Sequence, residues 1–427
     1  LRVIPLGGLG EIGKNMMVIE TAEDMVIIDA GVQFPEAEMM GIDVVIPNFE
    51  YVLERADKLR ALLVTHGHED HIGAIPYLLK ELDVPIFAPK MATELIRSRL
   101  REHKLPRTPT INTITTGSPV EIGSLKVQWF DVTHSIPDST GIAITTPFGK
   151  ILHTGDFKVD HDPIVGEPFN YGGVADVAGD GIFLLMSDST YAEEEGHSDS
   201  DSSVVDNLFR LIGDAEGRVF VSSFASQIAR IQIAFDSASA HGRKVAILGR
   251  SMQNYIRIAE ELGHLEIPGD IVVSPAQANS LPDSKVLLLT TGSQGEPKAA
   301  LARIARSDHR EIRIVPGDTV IISASPIPGN ETAVYSTQNE LVRLGARVFH
   351  SGVQKVHVHG HGRRDDLRSI VNLTNPRYMV PVHGEYRMLA THAELAVDQG
   401  VDEDNAFVVT DGEVLELDWD GGRIVDK

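Results

Sequence analysis

The segment LLVTHGHEDHIGAI, Leu62–Ile75, decides the reading of this chain. An apolar run ends in His66, His68, Asp70 and His71, and the chain turns apolar again at once. In an extended or loop backbone His66 and His68 project to the same side and can hold one metal ion. Asp70 and His71 are adjacent and diverge, which suits a second ion a few ångströms away. The apolar run LRALLV supplies a rigid strand as a platform. Ile72, Ile75, Leu78, Leu79 and Leu82 recur at helical spacing, so one helix is expected to pin the other end of the loop.

A dinuclear site needs more donors, and apolar runs further along the chain end in them. His134 follows the run in DVTHSIPDS, Asp156 follows ILHTG, and His383 follows MVPV. Loops at strand ends are where a layered sheet carries function. Taken singly, each of the three reads as an ordinary structural residue. Asp29, ending MVIIDAG, reads as a residue that orients a ligand histidine. His153 reads as packed or hydrogen-bonded rather than as a ligand.

Composition narrows the chemistry. The 427 residues suggest two or three domains. There is no cysteine, so His, Asp and Glu must supply any metal ligands. No apolar run is long enough to cross a bilayer and no secretory pattern opens the chain, so a cytoplasmic protein with no membrane partner is expected. The net charge of −23 is a poor prior for a nucleic-acid binder, and solubility is its ordinary reason. A buried cationic centre still attracts phosphate locally, so charge leaves the substrate open.

The pattern along the chain has three parts. Residues 1–197 are dominated by short strands with outer helices, the pattern of a layered α/β sandwich. The acidic run EEEGHSDSDSS, Glu193–Ser203, reads as a linker or exposed loop. Over 198–355 helices and strands alternate, which implies a parallel-sheet domain. Over 356–427 short strands and histidines return, as if the chain re-enters its first domain.

Two glycine motifs need separate treatment. Gly8, Gly10 and Gly13 spell the dinucleotide fingerprint, but β-rich KNMMVIET follows where a helix is required. A glycine-rich strand connection near the active site is expected there instead. TTGSQGEP, Thr290–Pro297, reads equally as a phosphate-binding loop or a plain tight loop.

The H-x-H-x-D-H signature with its later His, Asp and His resembles the metallo-β-lactamase superfamily. PLGGLGEIGKNM, THSIPDS, HTGDFK, SDST, GRSM, TTGSQGEP, PIPGNE and PVHGEYRML resemble its β-CASP branch, and specifically the ribonuclease J family. The resemblance implies an αββα metallo-β-lactamase sandwich with an inserted β-CASP parallel α/β domain. It implies two zinc ions per chain, with Mn²⁺ or Mg²⁺ as substitutes. His66, His68 and His134 would hold one ion, Asp70, His71 and His383 the other, and Asp156 would bridge them. Asp188 in SDST, His361 in HVHGHG and His383 match the β-CASP motifs. Asp70, Asp188 and His361 are then the catalytic residues, and Ser226, His359, His361 and Gly362 contact RNA phosphates.

The implied activity is 5′-to-3′ exoribonuclease and endoribonuclease action in RNA processing and decay, with hydroxide attacking the phosphodiester at the dinuclear centre. The implied substrate is single-stranded RNA with a 5′-monophosphate, and the implied assembly a homodimer or homotetramer. Such proteins carry a small C-terminal domain that is not expected within a chain ending at Lys427. Three departures stand out: the acidic linker, Ala229 where a histidine is expected, and His359 where a small residue is usual. They leave the detail of 5′-end recognition open. Arg230, Arg250, Lys298, Arg363 and Arg364 are candidates for a basic path. The alternatives are a small-molecule hydrolase of the same superfamily, a DNA-directed β-CASP nuclease and a scaffold without chemistry.

Overall fold

A computed structural model describes residues 1–35, 39, 41–105, 107–179, 181–327 and 329–426. Pro328 of the PIPGNE stretch and Lys427 lie outside the described residues. The chain divides into two compact units, residues 1–161 with 168–198 and 360–427, and residues 162–167 with 199–359.

Two sheets form the first unit. An eight-stranded sheet runs in the order Gly422–Asp426, Val414–Leu417, Arg2–Gly7, Met16–Glu20, Met25–Ile28, Leu59–Leu63, Ile86–Ala88 and Ile111–Thr113. A six-stranded sheet runs Pro376–Val382, Ile182–Asp188, Gly149–His153, Thr140–Thr146, Leu125–Asp131 and Val120–Ile122. Their facing sides share one apolar core, in which Val26, Ile28 and Leu63 pack with Trp129, Ile142, Ile151, Leu184 and Met186. Because strand side chains alternate, Leu185 turns the other way, joining Leu152 and Met379 under Val174, Leu367, Ile370 and Leu395 of the helices Tyr171–Ala178, Arg364–Thr374 and Tyr386–Asp398. The layers are those of an αββα sandwich.

The second unit holds a five-stranded sheet, ordered Lys244–Leu248, Val286–Thr290, Val219–Ser222, Thr319–Ile322 and Arg347–His350. Every pairing in it is parallel. Its central strands are buried along their whole length, as a sheet covered on both faces requires.

Three local outcomes differ from the sequence reading or sharpen it. The helix expected after the histidine loop is two short helices, Glu69–Ile72 and Ile75–Glu81. The break follows from Gly73, where a β-carbon would meet Glu69 O at 2.5 Å, and from Ala74, whose N–H donates to Ala30 O at 2.8 Å. Ile72, Ile75, Leu78 and Leu79 are buried, whereas Leu82 has left the helix and is only half-buried. The glycines of the opening segment have φ of +93°, +85° and +108° at Gly8, Gly10 and Gly13, and they join strands with no helix after them.

The acidic run is no bare linker, because Glu193, Glu194 and Glu195 are paired with Arg387, Arg363 and Arg364. Among the described residues no helix is long and apolar enough to cross a membrane.

Candidate metal centre

The loop that opens the site is held from three sides. The strand Leu59–Leu63 delivers Thr65 and His66 in buried positions. The glycine-rich segment supports Asp70 and His71: Asn15 N–H and Asn15 Nδ2 donate to Asp70 O at 2.9 and 3.0 Å, and Gly31 N–H donates to Asn15 O at 2.9 Å. A β-carbon at Gly31 would fall 1.6 Å from Asp70 O, so only glycine permits this approach. On the third side Gly67 lies against the helix Lys90–Glu102, where a β-carbon would come within 2.7 Å of Leu95 Cδ1.

The seven residues read as metal ligands converge in the first unit. The ligand atoms of His66, His68, His134 and Asp156 lie within 4.8 Å of one another, and so do those of Asp70, His71, Asp156 and His383. Asp156 belongs to both groups. Its Oδ2 is 3.1 Å from His71 Nε2, 3.4 Å from His383 Nε2, 3.7 Å from His66 Nε2 and 3.8 Å from His134 Nε2.

The outer ring nitrogens have acceptors that fix the tautomers. His71 Nδ1–H donates to Asp29 Oδ2 at 2.8 Å, His134 Nδ1–H to Gly360 O at 2.7 Å, and His383 Nδ1–H to Thr190 Oγ1 at 2.7 Å. His66 Nδ1–H donates to Thr65 Oγ1 at 3.0 Å, and Thr65 Oγ1–H donates to Asp29 Oδ2 at 2.7 Å. With the protons on the outer nitrogens, the inner lone pairs crowd together: His68 Nδ1 is 3.0 Å from His66 Nε2 and 3.1 Å from His134 Nε2. Converging lone pairs repel unless a cation lies among them. A buried His/Asp donor set whose outer nitrogens are held by oxygen acceptors fits two divalent ions of the imidazole- and carboxylate-binding kind.

The electrostatics differ between the two donor groups. Burial and the neighbouring His71 push His66 well below its ordinary value, burial takes His68 down to about 4, and burial with His68 depresses His134. Burial also opposes charge on His71 and His383, but Asp156 and the other carboxylates around each outweigh it and raise both well above the ordinary value. Asp156 is held well below the usual carboxylate range, because His383 and His71 overcome the cost of burying it. His66, His68, His134 and Asp156 are thus held in the uncharged imidazole and ionised carboxylate forms that bind metal, whereas an ion at His71 and His383 would have to displace a proton from each. His153 is different: burial lowers it to about 4, and its Nδ1 accepts the Gly155 N–H at 3.0 Å.

A second cluster adjoins the first through His383. Asp188, at the end of the strand Ile182–Asp188, accepts His361 Nδ1–H at 2.7 Å and Thr190 Oγ1–H at 2.8 Å. Asp188, His361 and His383 also bring ligand atoms within 4.8 Å of one another. The His361 and His383 rings stack at 5.1 Å, and the His361 side chain is 18% exposed where Asp188 is buried. Asp29 and His383 have left-handed backbones, φ +61° and +56°. Such conformations cost non-glycine residues about 1–3 kcal/mol and cluster at functional sites.

The residues read as RNA contacts are distributed differently. Ser226 lies between the strand Val219–Ser222 and the helix Ile228–Ala240, and His359 is the last residue of the second unit. His361 and Gly362 belong to the first unit, where the Gly362 N–H donates to Phe157 O at 2.6 Å. Ala229 is buried within the helix Ile228–Ala240. Among the basic-path candidates Arg230 is buried, with Nη2 3.0 Å from Asp201 Oδ1, while Arg363 and Arg364 are paired with glutamates. The sequence reading missed Asn15, Thr65, Thr190 and Gly360. Thr65 directly precedes His66, Gly360 lies between His359 and His361, and Thr190 closes the SDST stretch two residues after Asp188.

This donor set on this sandwich, with an all-parallel α/β domain within the chain, defines a metallo-β-lactamase-fold protein of the β-CASP type. Family models agree: the metallo-β-lactamase superfamily matches residues 9–212, the ribonuclease J β-CASP domain 216–341 and the Zn-dependent metallo-hydrolase RNA specificity domain 347–408. Ribonuclease J 1 of Streptococcus pyogenes is 44% identical over 422 residues, covering 99% of this chain and 75% of that protein. Ribonuclease J of Thermus thermophilus is 43% identical over 424 residues, covering 98% and 74%. The chain belongs to the ribonuclease J family. A crystal structure of a protein of unknown function from Enterococcus faecalis, 15% identical, shares the fold with a TM-score of 0.66 over 97% of this chain and 99% of that one.

Proposed function

We propose that the chain is a metal-dependent ribonuclease of RNA processing that degrades single-stranded, 5′-monophosphorylated RNA from the 5′ end and also cuts internally. The observation that carries the reading is the pair of donor groups sharing Asp156 in a chain of the ribonuclease J family. His66, His68 and His134 would hold one ion, Asp70, His71 and His383 the other, with Asp156 between them. Zinc suits the imidazole-rich set, and Mn²⁺ or Mg²⁺ are its substitutes. When bound, such ions supply a water nucleophile at neutral pH and offset charge on the phosphoryl oxygens.

The chain's own groups do the rest. Asp188 fixes the His361 imidazole through Nδ1 at 2.7 Å, so His361 is set to stabilise the transition state or to protonate the leaving 3′-oxygen. The path from His383 Nδ1 through Thr190 Oγ1 to Asp188 Oδ1 keeps the His383 proton on its outer nitrogen. Ser226, His359, His361 and Gly362 are the proposed phosphate contacts. We take the first unit as the metallo-β-lactamase domain and the second as the β-CASP domain. The protein acts in the cytoplasm as a homodimer or homotetramer.

The test uses 3′-labelled RNA with a 5′-monophosphate or a 5′-hydroxyl, and single-stranded DNA of the same sequence. Stepwise 5′ shortening of RNA that is faster with the monophosphate and absent in Asp70→Ala is expected. Internal cuts indifferent to the 5′ group would remove the exonuclease assignment. Equal or better cleavage of DNA would remove the RNA assignment.

A further inference from the structure

The molecule is acidic, with 38 Lys and Arg against 61 Asp and Glu, yet residues 90–107 carry six basic residues and two acidic ones. Residues 90–102 of this stretch form the helix Lys90–Glu102. Met91, Ala92, Leu95 and Ile96 are buried, which leaves Arg97 and Arg101 exposed one turn apart on the helix, with Lys104 exposed two residues beyond its end. Among the described residues Arg101 and Lys104 have no ion pair, and Arg97 has only Glu94, one turn away at 2.5 Å. Lys80 of the neighbouring helix extends the cluster, with Nζ 5.2 Å from the centre of the Tyr77 ring. Tyr77 in turn meets His103 edge-on at 5.6 Å. Burial first, and then Arg99 and Lys80, hold His103 below its ordinary value, while Glu102 acts the other way.

The position matters as much as the charge. The helix packs on Gly67, between His66 and His68, through Leu95 and Ala92. Arg99 Nη1 donates to Glu69 Oε1 at 3.2 Å, beside Asp70. Met91 N–H donates to Asp138 Oδ2 at 3.0 Å, in the loop that carries His134. The helix that carries the cationic face in a strongly anionic protein therefore packs, through its opposite and buried side, on two loops of the metal centre.

We propose that this face is a track for the RNA strand adjoining the scissile phosphate, contacted through its backbone by Arg97, Arg101 and Lys104. The inference rests on the ribonuclease reading and adds a substrate-binding surface to it. Contacts of this kind carry no sequence preference and strengthen as salt is lowered. They act only on an RNA long enough to reach them.

The test compares wild type with R97E/R101E/K104E on a 5′-monophosphorylated RNA of about 30 nucleotides and on a trinucleotide with the same 5′ end. Melting temperature and metal content serve as controls, and R97Q/R101Q/K104Q is the milder variant. For the long RNA we expect KM to rise about 10-fold and the dependence of log kcat/KM on log salt to flatten by about 2, near 0.7 for each phosphate that is no longer neutralised. The trinucleotide should be cleaved as by wild type. Unchanged KM and salt dependence on the long RNA would overturn the track and leave the patch to an acidic protein partner. Equal impairment on both lengths would overturn it as damage to the centre. Wild type that cleaves neither RNA would remove the ribonuclease reading itself, and the track with it.

Discussion

Asp29 Oδ2 accepts the Nδ1–H of His71 at 2.8 Å and the Oγ1–H of Thr65 at 2.7 Å, so one carboxylate orients His71 directly and His66 through Thr65, a histidine in each donor group. Replacing it should weaken metal binding before it touches anything else. Asp29→Ala is expected to lower metal affinity about 10–100-fold, measured by competition with a chromogenic chelator. Asp29→Asn keeps one acceptor and tolerates the left-handed backbone, and should fall between. The same affinity in all three proteins would remove the orienting role.

Gly360 tests the fit from the other side. A β-carbon there would lie 2.7 Å from His134 Cε1 and Nδ1, and the Gly360 carbonyl is the acceptor for that ring. Gly360→Ala should push His134 out of its group and leave the Asp70/His71/His383 set intact. Native mass spectrometry is expected to find one tightly held ion in place of two. Two ions held with wild-type affinity would contradict this.

Asp188 should separate chemistry from metal binding. Asp188→Asn is expected to lose about 100-fold or more in turnover, since its partner His361 is the proposed acid–base group, while metal content stays near wild type. Loss of an ion in this variant would instead make Asp188 a ligand.

A pH effect is expected away from the centre, where Glu11 and Asp411 share the Lys14 ammonium. Lys14 is raised although burial opposes its charge, because both carboxylates favour it. Asp411 is pushed up to about 6, by burial first and then by Glu11, with which it competes for one cation. Between 3.8 and about 6 the folded protein thus holds a proton that the unfolded chain releases, so this group's contribution to stability falls as pH rises through that window. Asp411→Asn should flatten the slope and be more stable than wild type by about 1 kcal/mol at pH 7.5. Urea melts at pH 4.5, 6 and 7.5 check it, and a parallel offset at all three would refute it.

What was legible beforehand was whatever sits at the end of an apolar strand. His66, His134, Asp156 and His383 follow buried runs, so their chemistry stands out against the pattern before them. Gly73 and the proline at 76 were visible too, but the break between the two short helices depends on Gly73 meeting Glu69 O, a contact no periodicity carries. Asn15 and Gly360 act through backbone contacts with residues about 55 and 226 positions away. Both lie in stretches the sequence marks out, PLGGLGEIGKNM and HVHGHG, but nothing local shows which distant groups they meet. Charge misled in a different way, since the acidic run at Glu193–Glu195 takes its meaning from arginines in a distant stretch, and Arg230 is buried rather than part of a surface path.

The late segments of the first unit join its sheets at their edges: Pro376–Val382 is the outer strand of the six-stranded sheet, and Val414–Leu417 with Gly422–Asp426 extends the eight-stranded one. On the ribosome, His66, His68 and His71 therefore emerge long before His383. At about 5–20 residues per second the interval is roughly 15–60 s. Throughout it the nascent chain exposes two unpaired sheet edges and an incomplete donor set. Because the final strands dock from outside rather than thread between strands already paired, synthesis of the intervening domain does not obstruct closure. Translation itself thus postpones completion of the Asp70, His71, Asp156 and His383 donor group until the strand Pro376–Val382 has arrived.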